Sequence, residues 1–255
     1  MPVDRKPGSG RAAARRRIAE KRAAEEAARA AAARRRRTIL VAVTAAALVV
    51  VAIVVVIVIQ SSRTATSVDA AVPGHTTDGG NVIVVGSADA PVTVDLYEDF
   101  QCPDCAAFEQ ASGQTLAQLI ADGTVQARYH GMAFLDTSAN DRYSTRALDA
   151  AAAVVNAAGP DAFQAFHDLL FAHQPPESGS GLTDDQLVEF ATQAGAAGAE
   201  QDIRDLTYGD WVKQVTDQAS QDGVTGTPTV FVDGQRLDDL SPESLTAAVD
   251  AAQAG

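Results

Sequence analysis

The sequence is poor in cysteine, and its basic residues crowd into one end. Only Cys102 and Cys105 occur among 255 residues. Two cysteines cannot build the disulfide framework of a small secreted domain, and they supply half of a tetrahedral zinc site. Beyond residue 37 there are 7 Lys/Arg against 29 Asp/Glu. Without a basic surface, the main body is excluded as a nucleic-acid binder. Charge of either sign is missing from Thr38 to Ile59, a run of 22 residues. Apolar residues are not scarce: at 46% they can build a core, which excludes wholesale disorder.

The uncharged run reads as a membrane span. At 1.5 Å per residue a helix of that length reaches ~33 Å, against a bilayer core of ~30 Å. Arg34, Arg35, Arg36 and Arg37 abut its N-terminal end, and only Arg63 lies near the other. The positive-inside rule then predicts a single-pass cell-membrane protein with its N-terminus in the cytoplasm and the C-terminal body outside. A cleavable signal peptide is the rival reading. Its apolar region is ordinarily shorter, and the weak cleavage pattern Val68-Asp69-Ala70 lies well beyond the run. Residues 1–37 form an Ala/Arg-rich head, rich in helix formers, with 13 Lys/Arg and too few large apolar residues to pack a core. It reads as a cytoplasmic, solvated helix facing anionic lipid.

Residues 60–80, QSSRTATSVDAAVPGHTTDGG, lack apolar periodicity and read as a flexible linker. That leaves 81–255 as one domain of ordinary size. Strands are predicted at 81–85, 92–97 and 125–130. A helix is predicted over 103–120. A helical block follows, with segments at 144–158, 161–173, after the Thr183 cap, and 200–220. Strands at 229–232 and around Arg236-Leu237 flank an Asp233-Gly234 turn, and Ser241-Pro242 opens a final helix. The order β-β-α-β, helices, β-β-α implies an α/β fold with mixed strand directions.

Cys102-Pro103-Asp104-Cys105 falls between a strand and a helix. A helix start offers unpaired N–H groups and a partial positive charge, which stabilise a thiolate. Pro103 suits the first turn, and Asp104 is a candidate tuning residue. Cys102 is expected to be the exposed attacking thiol and Cys105 the more buried resolving thiol. Three other readings compete. A structural disulfide across so small a loop adds little. A metal site needs two further ligands, and His75, His130, His167 and His173 show no pairing in sequence; no metal is expected. Inert thiols are unexpected outside the cytosol. A reversible dithiol/disulfide centre fits best.

A second motif, Gly223-Val224-Thr225-Gly226-Thr227-Pro228-Thr229-Val230-Phe231-Val232, sets a proline before a β-branched strand. Together YEDFQCPDC (97–105) and GVTGTPTVFVDG (223–234) resemble the DsbA-like, thioredoxin-fold family of envelope thiol-disulfide oxidoreductases. The resemblance covers most of 81–255 and none of 1–80. It implies a thioredoxin-like fold with a helical insertion at about 140–222, and a cis Thr227–Pro228 bond beside the cysteines. It implies that Thr227 pairs with an extended substrate peptide, and that a quinone-linked membrane partner reoxidises the pair. Many relatives carry a buried acid six residues before the first cysteine; here that position is Leu96. Glu98, on the same strand face, is a candidate replacement, and an exposed charge is the plainer expectation; Asp95 points the other way.

The function expected is disulfide exchange with thiols of exported proteins through Cys102 and Cys105, without a dissolved cofactor. The oxidase direction is favoured by the single-domain plan and the outside location. Reductase or isomerase action, or a non-enzymatic binding module, are the alternatives.

Overall fold

The computed structural model describes residues 70–254. The basic head and the uncharged run at 38–59 lie outside the described residues. Among the described residues no helix is long and apolar enough to cross a membrane.

The described residues form a sheet in the order β1-β2-β4-β3-β5-β6. The strands are β1 (Thr76–Thr77), β2 (Val82–Val85), β3 (Val92–Glu98), β4 (Val125–Gly131), β5 (Thr229–Val232) and β6 (Gln235–Leu237). β3 and β4 are parallel, and the other pairs are antiparallel. A parallel pair needs a long crossover. Here it contains α1 (Pro103–Phe108), a π-helical turn (Glu109–Gly113) and α2 (Gln114–Ala121). β3 is central, and Val92, Val94 and Leu96 are wholly buried in it. Fully burying each such side chain contributes ~1.5–3 kcal/mol. The helix α8 (Pro242–Ala254) packs Leu245 and Val249 into the same core.

The helical block comprises α3 (Tyr143–Ala158), α4 (Pro160–Ala172), α5 (Asp184–Gln193), α6 (Glu200–Asp205) and α7 (Gly209–Gln221). α3 runs through its middle. Ala147, Ala150, Ala151, Ala152, Ala153, Val154 and Val155 are all fully buried, so this helix is apolar nearly all round. Its small side chains let the neighbouring helices approach closely. Gly159, at φ 83°, makes the turn into α4. Thr183 caps α5 in a reciprocal capping box with Gln186.

Three expectations are corrected. The helix expected over 103–120 is interrupted by the π turn, where buried Ser112 donates from Oγ to the Leu240 carbonyl at 2.7 Å. The segment at 200–220 is two helices, broken at Leu206 with φ 52°. There the Tyr208 N–H donates to buried Asp149 Oδ1 at 2.6 Å, a tertiary bond that a continuous helix would not leave free. The linker expected over 60–80 is already part of the fold by its end. Thr76 and Thr77 pair with Ile83 and Val82. Asp78 pairs with Arg128, and Trp211 Nε1–H donates to the Gly80 carbonyl at 2.6 Å. Side chains distant in sequence hold this segment, so local hydropathy does not reveal it.

Candidate active site

Register brings the two sequence motifs together. β3 ends at Glu98, and β5 runs antiparallel to it with Tyr97 opposite Thr229. The chain entering β5 therefore passes the point where the chain leaving β3 turns into α1. Thr227–Pro228 is cis, and the Cys102 sulfur lies 3.3 Å from the Thr227 carbonyl oxygen.

The turn between β3 and α1 is tied down from several sides. The Cys102 N–H donates to the Asp99 carbonyl at 2.9 Å. The buried Asp99 carboxylate accepts from Gln101 N–H at 2.9 Å and from Leu135 N–H at 3.0 Å. Burial raises its pKa. Gln174, just after α4, donates from Nε2 to the carbonyls of Phe100 (3.0 Å) and Cys102 (2.8 Å). Gln101 Nε2 donates in turn to the Pro176 carbonyl at 3.1 Å. The helical insertion thus grips the cysteine turn.

Cys102 is the N-cap of α1, and Pro103 is its first residue. Both cysteines are free thiols. A hydrogen bond from Cys105 is the largest influence on Cys102 and outweighs burial. Help comes from the Thr227 side chain and the N–H groups of Cys105 and Asp104, so its pKa falls to about 6. Cys105 is pushed far the other way, chiefly by burial, then by its bond to Cys102 and the charge of Glu98. One sulfur is thus a stable thiolate at neutral pH and the other a protonated thiol. Asp104 and Pro103 are exposed in the first turn. The expected exposure of Cys102 is corrected: it is 6% accessible, because the cis-proline loop and the Gln174 segment crowd its edge.

The acid question also resolves against the plainer expectation. Glu98 is buried and not exposed. It accepts at Oε2 from His167 Nε2 at 3.0 Å, and His167 Nδ1 faces Asp168 at 3.3 Å. Burial lowers the His167 pKa, but the bonds to Asp168 and Glu98 overcome it and raise the value to about 10. Both ring nitrogens face carboxylates, so the group forms an ion-pair network. Leu96 is a core side chain. Asp95 pairs with Arg128 (3.2 Å) and His130 (2.8 Å) away from the cysteines.

Sequence reasoning missed Glu109, His167 and Gln174. Two left a signal. Glu109 stands four residues after Cys105, on the same helix face. His167 sits inside the apolar stripe Phe163, Phe166, Leu170, Phe171 of α4, where a polar group calls for a buried partner.

The fold and site have parallels. A family model described as Thioredoxin matches residues 78–251. Reduced DsbA from Mycobacterium tuberculosis superposes with a TM-score of 0.60 at 31% identity, covering 69% of this chain and 98% of that one. Disulfide bond formation protein D of Bacillus subtilis is 27% identical over 153 residues, 58% of this chain and 66% of that protein. The serine/threonine-protein kinase PknE of Mycobacterium tuberculosis is 34% identical over 118 residues, 45% of this chain. This chain spans only 21% of that kinase's length. The cysteine turn at the helix start, the cis-proline loop against it and these likenesses converge: the chain belongs to the DsbA-like, thioredoxin-fold family of thiol-disulfide oxidoreductases.

Proposed function

We propose that the protein is a membrane-anchored oxidase that donates the Cys102–Cys105 disulfide to thiols of exported proteins. The observation that carries this reading is the position of Cys102, capping α1 with a pKa lowered to about 6. A stabilised thiolate stabilises the reduced pair, and that makes the disulfide an oxidant.

A client thiolate attacks the Cys102 sulfur. A client–Cys102 disulfide forms as Cys105 departs, and a second client thiol releases Cys102. The client loses two electrons and the pair gains two. Thr227, whose carbonyl lies beside the Cys102 sulfur, offers backbone to an extended client segment. Electrons move between sulfurs, so no dissolved cofactor takes part. A quinone-linked membrane protein reoxidises the pair. The uncharged run at 38–59 anchors the chain, and Arg34 to Arg37 keep the N-terminus in the cytoplasm.

The test is a trapping experiment joined to a potential. Full-length Cys105→Ala should accumulate mixed disulfides with clients on non-reducing gels, whereas Cys102→Ala should accumulate few. Equal trapping by both would reverse or remove the assigned roles. The Cys102–Cys105 potential should lie near the ~−120 mV of DsbA. A value near the ~−270 mV of thioredoxin would mean a reductase.

A further inference from the structure

Two carboxyl groups and an imidazole converge where the helical insertion meets the end of β3. Glu98 ends β3, Glu109 begins the π turn, and His167 comes from α4. One donor atom from each lies within 4.8 Å of the others. Three separate elements bring them together, so no metal-ligand spacing shows along the chain. Glu109 lies over Gly113, where a Cβ would stand 2.5 Å from its Oε2.

The cluster is short of hydrogen-bond donors and of positive charge. Glu98 is 6% accessible, and its Oε1 has no hydrogen-bond partner among the described residues. Glu109 Oε1 is buried and also lacks one. Asp168 adds a third carboxylate, 3.3 Å from His167 Nδ1. Against three acids stands one imidazole. No arginine or lysine ion pair reaches Glu98, Glu109 or Asp168 among the described residues. A buried carboxylate oxygen without a partner costs free energy, and a bound cation relieves that cost.

We propose that Glu98, Glu109 and His167 bind one Zn²⁺ ion, with a water molecule as fourth ligand. Three protein ligands and a water make the open tetrahedral zinc geometry. Imidazole nitrogen among the donors suits zinc, whereas magnesium and calcium take oxygen alone. The site goes beyond disulfide exchange, since neither cysteine is a ligand.

The surroundings fit this assignment. A groove of about 800 Å³, lined by Pro103, Glu109, Asp168 and Phe171, gives the ion and its water a way in. His167 presents Nε2 to the cluster, and Asp168 faces its other ring nitrogen. A carboxylate on the far nitrogen fixes the ring and raises its basicity as a ligand. Ligands at ~2.0–2.2 Å from a tetrahedral zinc stand about 3.4 Å apart. Glu98 Oε2 and His167 Nε2, at 3.0 Å, already match that spacing. Glu109, on the groove side, closes the remaining distance. The ion takes the place of the proton between His167 and Glu98. Once bound, it ties β3, the π turn and α4 together.

The test uses the full-length chain in detergent, without a histidine tag and with Cys102 and Cys105 oxidised, so that no thiol can ligate. Zn²⁺ is titrated in competition with a chromophoric chelator, and thermal melts are run with and without the ion. One Zn²⁺ per chain should bind at micromolar concentration and raise the melting temperature. Glu109→Gln should weaken binding at least ~tenfold, and Asp168→Asn ~10–100-fold, the usual cost of losing a partner behind a ligating histidine. X-ray absorption at the zinc edge should show nitrogen and oxygen neighbours, with one imidazole. No binding at micromolar zinc would overturn the proposal. So would wild-type affinity in both folded variants, which would place the ion on other acids. If Glu109→Gln does not fold, the exposed Asp168→Asn decides alone.

Discussion

Cys102 and Cys105 are separated by two residues, yet their acidities move in opposite directions. The cause is placement. Cys102 accepts from the Cys105 thiol, with smaller help from Thr227 and the open N–H groups at the start of α1, and Cys105 lies in a dry interior, where its bond to Cys102 and the Glu98 charge push it further up. Asp104 lies between them with its carboxylate exposed. A like charge near a thiolate disfavours it, so Asp104→His should lower the Cys102 pKa below about 6. Each unit of fall is ~1.4 kcal/mol, or ~30 mV for a two-electron couple. At pH 7 Cys102 is already ionised, so the whole fall should register as a more oxidising potential. Thiolate absorbance and glutathione equilibration check the two quantities. An unchanged pKa would show that Asp104 only favours the first turn of the helix.

The helical insertion acts on the site through individual elements. α4 supplies His167, and the segment after it supplies Gln174, which holds the carbonyls of Phe100 and Cys102. α3 carries the polar anchor that separates α6 from α7. Its Asp149 accepts from Tyr208 N–H, and burial lifts its pKa to about 7. A raised carboxyl pKa means that the folded state binds more protons than the unfolded state between about pH 4 and pH 7. Stability from this group is therefore full below the unfolded value and lost as pH rises through about 7. Asp149→Asn keeps an acceptor for Tyr208 and removes the charge. Its stability relative to wild type should improve from pH 5 to pH 8, on the order of 2 kcal/mol. Urea denaturation at the two pH values measures this. A pH-independent difference would show that Asp149 does not titrate in this range.

Over the molecule, the redox state and the stability are linked through Cys102. In the reduced protein its folded pKa is about 6, below the ordinary value of 9.0. The folded state then binds fewer protons than the unfolded state in that window. Stability from this thiolate is present above pH 9 and lost as pH falls through about 6. The oxidised protein has neither thiol; Cys105, held protonated by burial in the folded state, begins to count only as its unfolded thiol ionises near pH 9, and the remaining titrating groups are shared. The reduced form should therefore gain on the oxidised form as pH rises from 6 to 9, read from paired thermal melts. A gap constant across that range would mean an unperturbed Cys102. Topology is checked at the same scale. Protease added to spheroplasts should degrade the chain after Ser61 and spare the basic head; protection of the C-terminal domain would reverse the orientation.

The strands, most helices and both halves of the redox motif were legible in the chain, because each leaves a local mark. β3 shows as a β-branched apolar run, α5 as a Thr–Gln capping box, and Cys102-Pro103 as a helix start. The uncharged run at 38–59 and its arginine border are equally local. What could not be read depended on contacts between distant residues. Leu206 breaks a helix where Asp149, 59 residues away from Tyr208, claims a backbone N–H. Glu98 is buried at the end of β3, where an imidazole 69 residues away on α4 pairs with its carboxylate. A carboxylate carries the same letter whether solvated or buried. Its environment follows from which elements fold over it, and that follows from packing rather than from neighbours along the chain.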